Sequence, residues 1–179
     1  MSAVDRRDPL AELGKILDGS QVQYALIGGH AVNAWLEPRF TADVDVTVQA
    51  GPDAFTRLRA ALTRAGFAVL AEHGDGQPSG PDFARFRSLD GLMTLEIQVA
   101  KTELQAEVLR RAARTPASGM LVATPEDLIV LKLIADRAKD QIDLLGLARL
   151  PRIDWAYVER WAADWQVMDR LRRLREASR

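Results

Sequence analysis

One short segment constrains the fold of this chain more than any other. An apolar strand over residues 22–27 runs into two glycines, and the chain then returns as a strand over residues 43–48. The second strand alternates strictly, with valines on one face and the carboxylates of Asp43 and Asp45 on the other. Carboxylates on a strand are costly unless they meet water, a cation or a proton. The segment therefore predicts either a solvated strand or a binding site.

The two glycines, Gly28 and Gly29, indicate a close approach between the backbone and an anion. They lie between the end of a strand and a predicted helix over residues 30–36, where backbone N–H groups converge. Glycine has no side chain to keep a phosphate group away, although a plain tight turn also explains the pair.

The aspartate pair indicates a divalent cation. Asp43 and Asp45 are two residues apart on a strand, so their backbones are roughly 6.6 Å apart on one face. At an effective dielectric constant of about 20 and a distance of ~5 Å, two carboxylates repel each other by about 3 kcal/mol. A cation between them reverses the sign, and Mg²⁺ or Mn²⁺ prefers such hard oxygen ligands, whereas a solvent-facing strand needs no cation. Glycines and carboxylates together are typical of phosphoryl transfer, in which positioning and charge neutralisation supply most of the catalysis.

Composition and charge exclude several classes of protein. The chain has 179 residues, of which 47% are hydrophobic, so we expect one folded domain with a real core. It has no cysteine, which excludes disulfides, thiolate metal sites and cysteine nucleophiles. We find neither a signal-peptide pattern nor a run near the ~20 apolar residues that span a bilayer, and we expect a cytoplasmic protein with no membrane partner.

Charge gives no strong indication of a nucleic-acid partner. The 24 basic and 25 acidic residues give a net charge of -1, so we expect no bulk attraction to nucleic acid. The arginines over residues 169–179 are either the solvated face of a last helix or a contact with RNA or phosphate.

The remaining elements mix strands with helices first and contain only helices later. We predict helices over residues 8–18, 53–65 and 102–113, strands over residues 67–71, 83–87, 93–99 and 120–123, and a mobile loop over residues 72–81. The later helices are one helix or a helix pair over residues 124–147, then residues 154–165 and 167–176. This order predicts an α/β (or α+β) core, residues 1–123, and a helical C-terminal region, residues 124–179, packed on it as a single compact unit.

The motifs resemble the signature of the polymerase-β-like nucleotidyltransferase superfamily. That signature is a Gly-Gly or Gly-Ser turn followed at short range by Asp-x-Asp, and here it reads Gly28-Gly29-His30-Ala31 and Arg39-x-Thr41-x-Asp43-Val44-Asp45-Val46. Within the superfamily the chain most resembles the AbiEii, or type IV, toxin-like nucleotidyltransferases. The resemblance implies a nucleotidyltransferase fold with a small mixed sheet flanked by helices, and an Mg²⁺ or Mn²⁺ cofactor.

The resemblance implies a third carboxylate on a neighbouring strand, and Glu96 is its counterpart. Strand alternation places Glu96 with Thr94 and Gln98 on the face opposite the apolar residues. Aspartate is usual at this position in the family, so a solvent-facing glutamate is the alternative. In the implied metal site, Glu96 joins Asp43 and Asp45.

The resemblance continues in the helical segment after Pro125. The toxins carry a lysine on a helix, then an arginine, then a Lys-Asp-x-x-Asp run; the matching residues here are Lys132, Arg137, Lys139, Asp140 and Asp143. The three cations are then nucleotide ligands, with Lys132 on the triphosphate, and Asp140 or Asp143 is the base for the incoming hydroxyl. On one continuous helix these charges form a single stripe, which is also the pattern of an exposed salt-bridge face.

Four residues near the glycines are further candidates for nucleotide binding. His30 lies in the first turn of the predicted helix, where it contacts a phosphate or caps the helix, and Asn33 faces the same pocket one turn later. Arg39 and Thr41 precede the acidic strand and either hold the loop, by pairing with Asp43, or contact phosphate.

The implied reaction is transfer of a nucleoside monophosphate from an NTP to an acceptor hydroxyl. In the toxin family the acceptor is often an RNA end such as the 3′ terminus of tRNA, and a cognate antitoxin protein is commonly encoded alongside. One alternative is a small-molecule nucleotidyltransferase of the aminoglycoside type, which a narrow acidic pocket in place of a basic rim favours. The other is a non-catalytic relative that binds a nucleotide or a partner protein, which a Glu96 directed away from Asp43 favours.

Overall fold

The computed structural model describes residues 9–74, 81–115 and 119–178. Within these residues the strands are β1 (Gln23–Ile27), β2 (Asp43–Gln49), β3 (Phe67–His73), β4 (Phe83–Ser88), β5 (Thr94–Val99), β6 (Ala113–Arg114) and β7 (Leu121–Val122). The helices are α1 (Pro9–Gly19), α2 (Gly28–Val32), α3 (Pro52–Arg64), α4 (Glu103–Arg111), α5 (Pro125–Ala135), α6 (Asp140–Ala148), α7 (Trp155–Asp164) and α8 (Met168–Ala177). The mixed α/β fold is as predicted.

The strands form one mixed sheet in the order β3-β4-β5-β2-β1-β7-β6. Strand β2 lies at its centre, antiparallel to β1 on one side and parallel to β5 on the other. This arrangement fixes which residues are neighbours across the strands: Asp45 lies between Ile27 of β1 and Glu96 of β5.

Apolar and polar side chains alternate along β2 and β5, and the apolar side chains lie on the buried face of the sheet. Val44, Val46 and Val48 are almost completely buried, as are Leu95 and Ile97 of β5. Because successive side chains of a strand point to opposite faces, the acidic residues between them all lie on the other face. The predicted separation of valines and carboxylates is therefore confirmed.

Helices α5 to α8 share the apolar core of the sheet. Their buried residues, which include Leu133, Val158 and Leu171, belong to one continuous cluster with the buried residues of β1, β2 and β5. The division of the chain between residues 123 and 124 stays a prediction. Across the described part of the chain, no helix has both the length and the apolar character that crossing a bilayer demands.

The predicted mobile loop over residues 72–81 is wrong at its start. Glu72 and His73 belong to β3, where they pair with Ala84 and Phe83 of β4, because an irregularity after Val69 lets the strand continue. Residues 75–80 of that predicted loop, and residue 8 of the first predicted helix, lie outside the described residues.

The helix pattern predicted after Gly28 and after Pro125 also differs from the structure. Helix α2 begins at Gly28 itself and ends at Val32, so it is shorter than predicted. Helix α5 ends at Ala135 because Asp136 adopts the left-handed conformation, with φ 49° and ψ 40°. The single charged stripe expected on a continuous helix is therefore wrong, and the charges are brought together by a turn between two helices.

Candidate active site

Three carboxylates gather on the polar face of the sheet. Asp45 of β2 and Glu96 of β5 are direct neighbours in the parallel register, and Asp43 lies two residues before Asp45 on the same face. All three line one cavity of about 260 Å³, which we call the polar cavity. It is also lined by Gly28, Gly29, Arg39, Thr41, Arg85, Lys132, Arg137, Lys139 and Asp140. Most of the predicted site residues are thus brought together.

The surroundings of this cluster disfavour the ionised form of Asp45, as expected at a site that binds a cation. The pKa of Asp45 is raised from its ordinary value of 3.8 to about 6. Burial is the largest cause, followed by the negative charges of Glu96 and Asp43, while Lys139 and Arg137 lower the pKa in part. Positive charge at this position would therefore relieve a real electrostatic cost.

Glu96 faces the polar cavity, but an arginine that was not predicted binds it. The Arg85 side chain donates to Oε1 of Glu96 from Nε at 2.9 Å and from Nη2 at 2.5 Å. Arg85 lies opposite Glu96 in the antiparallel pairing of β4 with β5. The predicted strands did not contain this contact: paired outward from residues 87 and 93 they put residue 85 opposite residue 95, whereas the observed register puts it opposite Glu96.

Each glycine of the pair is required by a side chain that approaches it. Gly28 has a φ of +66°, and a Cβ there would lie 2.7 Å from Cγ of Asp45. A Cβ at Gly29 would lie 2.7 Å from Oγ1 of Thr41. Non-bonded carbon atoms meet at about 3.5–4.0 Å, so neither position has room for a side chain. The glycines therefore allow the start of α2 to approach Asp45 and Thr41.

Lys132 is held by two carboxylates from α6. Its Nζ lies 2.6 Å from Oδ1 of Asp140 and 2.8 Å from Oδ2 of Asp143, and all three side chains are buried. The left-handed residue Asp136 turns α6 back toward α5, which produces this contact. Because both neighbours neutralise it, Lys132 is better suited to positioning Asp140 than to binding a triphosphate.

Arg39 joins this ion-pair network from the connection between α2 and β2. It binds both carboxylate oxygens of Asp143, with Nε to Oδ1 at 2.8 Å and Nη2 to Oδ2 at 2.5 Å. The predicted pairing of Arg39 with Asp43 is not what the structure has. Burial by itself would raise the pKa of Asp143, but the bonds from Arg39 and Lys132 outweigh it and lower the pKa. A carboxyl with a lowered pKa and two cationic partners is a poor base, which leaves Asp140 as the better candidate.

Two cations of the polar cavity are not neutralised in this way. Arg137 and Lys139 lie on the turn between α5 and α6, and both are exposed. Within the described ranges neither forms an ion pair, and both face the carboxylates closely enough to affect the pKa of Asp45. They are the residues best placed to meet a phosphate chain.

Of the remaining candidates near the glycines, one lines the polar cavity and the other two lie outside it. Thr41 lines the polar cavity, whereas Asn33 binds the backbone of Arg39, with Nδ2 to the carbonyl at 2.7 Å and Oδ1 accepting from the amide at 3.1 Å. His30 lines a separate cavity of about 710 Å³ beside Phe40 and α1. Asn33 therefore holds the loop in shape, and the structure does not bring His30 into the polar cavity.

A second cavity of about 290 Å³ adjoins the polar one, and we call it the apolar cavity. Six residues line both: Gly28, Asp45, Glu96, Lys132, Arg137 and Asp140. Its other walls include Leu131, Ile134 and Trp165, together with the half-buried Gln98, whose amide makes no hydrogen bond to the described residues. Trp161 is buried in the core, but Trp165 is 39% exposed.

The oxygen donors in the polar cavity are of the kind that binds a divalent metal, but they are not arranged around one point as metal ligands are. Asp43 and Asp45 offer hard oxygen ligands, and burial together with the charges of Glu96 and Asp43 raises the pKa of Asp45. In the part of the chain that the structure describes, no group of three or more acidic or histidine side chains is arranged as a metal site. Arg85 binds only Oε1 of Glu96, which leaves Oε2 as the oxygen that could serve as a third ligand.

The arginines near the C-terminus are mostly engaged with other parts of the protein. Arg172 pairs with Asp169 and Arg175 pairs with Glu159. Arg170 binds the end of α5. This leaves little free charge on α8 for the RNA contact considered from the sequence.

A parallel strand pair that presents carboxylates beside a Gly-Gly turn, with cations across the same cavity, defines the class of nucleotidyltransferases. The model of the family described as "Nucleotidyl transferase AbiEii toxin, Type IV TA system" matches residues 15–166, so the chain belongs to that family. The nucleotidyltransferase activity and the resemblance predicted from the sequence are thereby confirmed. No curated protein sequence matches the chain.

Solved structures share the fold. The solution structure of the antibiotic-resistance factor ANT(2'')-Ia is similar with a TM-score of 0.51 and 18% identity, over 91% of this chain and 85% of that one. The crystal structure of ANT(2'')-Ia in complex with adenylyl-2''-tobramycin has a TM-score of 0.50 and 19% identity, over 94% and 95%. The Thermotoga maritima CCA-adding enzyme complexed with tRNA has a TM-score of 0.47 and 16% identity, over 93% of this chain and 45% of that one.

Proposed function

We propose that this nucleotidyltransferase transfers a nucleoside monophosphate from an NTP to the 3′ hydroxyl of an RNA, with Mg²⁺ or Mn²⁺ as cofactor. One observation carries the proposal. Three carboxylates on neighbouring strands face Arg137 and Lys139, which form no ion pair within the described residues, across a cavity that begins at Gly28 and Gly29. That combination holds a cation and a polyanion side by side.

The cofactor would be held by the carboxylates of β2. Asp43 and Asp45 would be its ligands, and Oε2 of Glu96, the oxygen that Arg85 does not bind, would be a third. When bound, the ion neutralises charge on the phosphates and makes the α-phosphorus easier to attack. The raised pKa of Asp45 supports this assignment, because burial and the charges of Glu96 and Asp43 disfavour its ionised form, which a bound cation would stabilise.

The phosphate chain would lie between the α5–α6 turn and the start of α2. Arg137 and Lys139 reach it from the turn, and the first N–H groups of α2 have no acceptor within the helix. Gly28 and Gly29 both line the polar cavity, so a phosphate bound there would lie beside the start of α2. The nucleoside would then extend into the apolar cavity, where Trp165 offers a ring for stacking and Gln98 offers a free amide.

The reaction is a displacement at the α-phosphorus. The acceptor oxygen forms a bond to that phosphorus while the bond to the bridging oxygen breaks, and pyrophosphate leaves with the bonding electrons. Asp140 accepts the proton of the hydroxyl, since its carboxylate lines both cavities and is oriented by the Lys132 ammonium group at 2.6 Å. Asp143 holds Lys132 and Arg39 in place.

The rim of the polar cavity supports an anionic acceptor. Four exposed cations surround it: Arg39 and Arg85 are paired with Asp143 and Glu96, whereas Arg137 and Lys139 form no ion pair within the described residues. These last two suit a phosphate backbone better than a polycationic aminoglycoside. The description of the family as a type IV toxin–antitoxin system supports a toxin role and a cognate antitoxin partner. We therefore place the RNA end ahead of a small-molecule acceptor.

The test is incubation of the purified protein with each α-labelled NTP, Mg²⁺ and total RNA. A parallel reaction contains tobramycin in place of RNA. We expect label on RNA with one NTP, loss of transfer in EDTA, and loss in Asp43→Ala/Asp45→Ala. The matched control is Asp164→Ala, which removes an exposed carboxylate outside both cavities. Label on tobramycin alone would show that the acceptor is a small molecule and not RNA. Transfer that persists in the double variant would show that Asp43 and Asp45 are not needed for the reaction.

A further inference from the structure

Helix α8 reaches across the fold to hold the turn between α5 and α6, residues 136–139. Nη1 of Arg170 donates to the carbonyl of Leu133 at 2.8 Å and to that of Ile134 at 3.3 Å. Nε of the same guanidinium lies 3.1 Å from Oδ2 of Asp136. One side chain thus binds the end of the helix and the residue that ends it, and we call this set of contacts the Arg170 clamp.

The turn has two features that make such a clamp necessary. Asp136 adopts a left-handed conformation that is unfavourable for a residue with a side chain. The last carbonyl groups of α5 also lack donors from a following helical turn, because the chain leaves the helix at Asp136. The guanidinium supplies those donors, and its charge matches the negative end of the helix dipole.

The turn carries the two cations of the polar cavity that form no ion pair in the described part of the chain. Arg137 and Lys139 are the first and third residues after Asp136, so their directions depend on how Asp136 is held. The hydrogen bond from the Asp140 amide to the Arg137 carbonyl, at 2.9 Å, closes the turn on its other side. On the described part of α8, Arg170 alone contacts both the last turn of α5 and Asp136.

We propose that Arg170 is a positioning residue of the nucleotidyltransferase site, which fixes the α5–α6 turn so that Arg137 and Lys139 meet the phosphates of the NTP. The proposal rests on the proposed function for the identity of that ligand. It assigns the C-terminal helix to the machinery of the reaction and gives Arg170 a role other than RNA contact.

The test compares Arg170→Met with Arg175→Met in the full chain. Arg175 is a suitable control because it also forms an ion pair from α8, with Glu159, but lies away from the turn. Hydrogen exchange followed by mass spectrometry should show faster exchange over residues 136–141 in Arg170→Met only. Steady-state kinetics, at a temperature where circular dichroism shows both variants folded, should show KM for the NTP raised about tenfold, the effect of losing a hydrogen bond to a charged group. The kcat should stay close to that of the wild-type protein.

Two conservative variants separate positioning from plain stabilisation. Arg170→Lys keeps the charge but not the fork of donors, so we expect partial rescue of KM. Asp136→Asn tolerates the left-handed conformation and loses only the ion pair, so we expect a smaller rise. Unchanged exchange over residues 136–141 in Arg170→Met overturns the proposal, and so does a fall in melting temperature with KM unaltered. If the wild-type protein binds no NTP while the exchange result is as expected, the proposed function fails and the Arg170 clamp stands.

Discussion

Replacing Asp45 by asparagine should make the metal-free protein more stable. The pKa of Asp45 rises from 3.8 to about 6 in the fold, so the ionised carboxylate is less favourable there than in the unfolded chain. The two values differ by about 2, which corresponds to about 3 kcal/mol at neutral pH. Because Asp45 is partly exposed, screening by solvent reduces the expected gain to about 2 kcal/mol.

The pH dependence of this gain follows from the direction of the shift. A raised pKa gives a contribution to stability that is complete below the unfolded pKa and is lost as the pH rises through the folded pKa. The advantage of Asp45→Asn should therefore be full at about pH 7.5 and should vanish near about pH 4, where the wild-type carboxyl is protonated. Urea unfolding in EDTA, followed by circular dichroism at both pH values, measures the difference.

Three comparisons make this prediction specific. Asp164→Asn, at an exposed site outside the cavities, should change stability by less than about 0.5 kcal/mol. Asp43→Asn should give a smaller gain than Asp45→Asn, because Asp43 is exposed. Adding Mg²⁺ should stabilise the wild-type protein and narrow the difference. The electrostatic reasoning would be refuted if Asp45→Asn were no more stable than the wild-type protein at neutral pH. It would also be refuted if the difference in the free energy of unfolding were the same at both pH values.

Three further substitutions test other parts of the site. Lys132→Met should lower the free energy of unfolding by about 3–5 kcal/mol, because it leaves Asp140 buried without its cation, while Asp143 keeps Arg39. Urea unfolding measures this, and a loss below about 1 kcal/mol would mean that water solvates the Asp140 carboxylate. Gly28→Ala should lower the free energy of unfolding by at least about 1–2 kcal/mol, because residue 28 has a left-handed backbone. Urea unfolding measures this loss as well, and a variant as stable as the wild-type protein would contradict the close approach of Asp45 to this residue. Trp165→Ala should raise KM for the NTP about tenfold or more through lost stacking without lowering the melting temperature, and an unaltered KM would exclude this residue from nucleoside binding.

The sequence predicted those features of the site that depend on strand periodicity. The faces of Asp43, Asp45 and Glu96 follow from alternation alone, and the parallel pairing of β2 with β5 then makes Asp45 and Glu96 neighbours. The contact between Arg85 and Glu96 was not predictable in this way, because the predicted strands over residues 83–87 and 93–99 pair residue 85 with residue 95, one residue away from the observed register.

The helical part of the site was not predictable in the same way. Neither glycine nor proline marks the end of α5, since Asp136 takes the left-handed conformation and is supported by a residue 34 positions later. The pairing of Arg39 with Asp143 joins residues 104 positions apart and follows from no local pattern. Sequence spacing therefore predicts which residues belong to the site, but it does not predict which of them form ion pairs with each other when those pairs depend on tertiary contacts.

The order of these residues along the chain has a consequence for protein synthesis. Asp45 meets Glu96 only when β5 has been made, and the turn that carries Arg137 is secured only when Arg170 has left the ribosome. Contacts between such distant segments form late, because the intervening chain must be closed into a loop first. We therefore expect the nascent chain to bind an NTP weakly until α8 is made, so that full affinity for the NTP is reached only after the whole region matched by the family model, residues 15–166, has been translated.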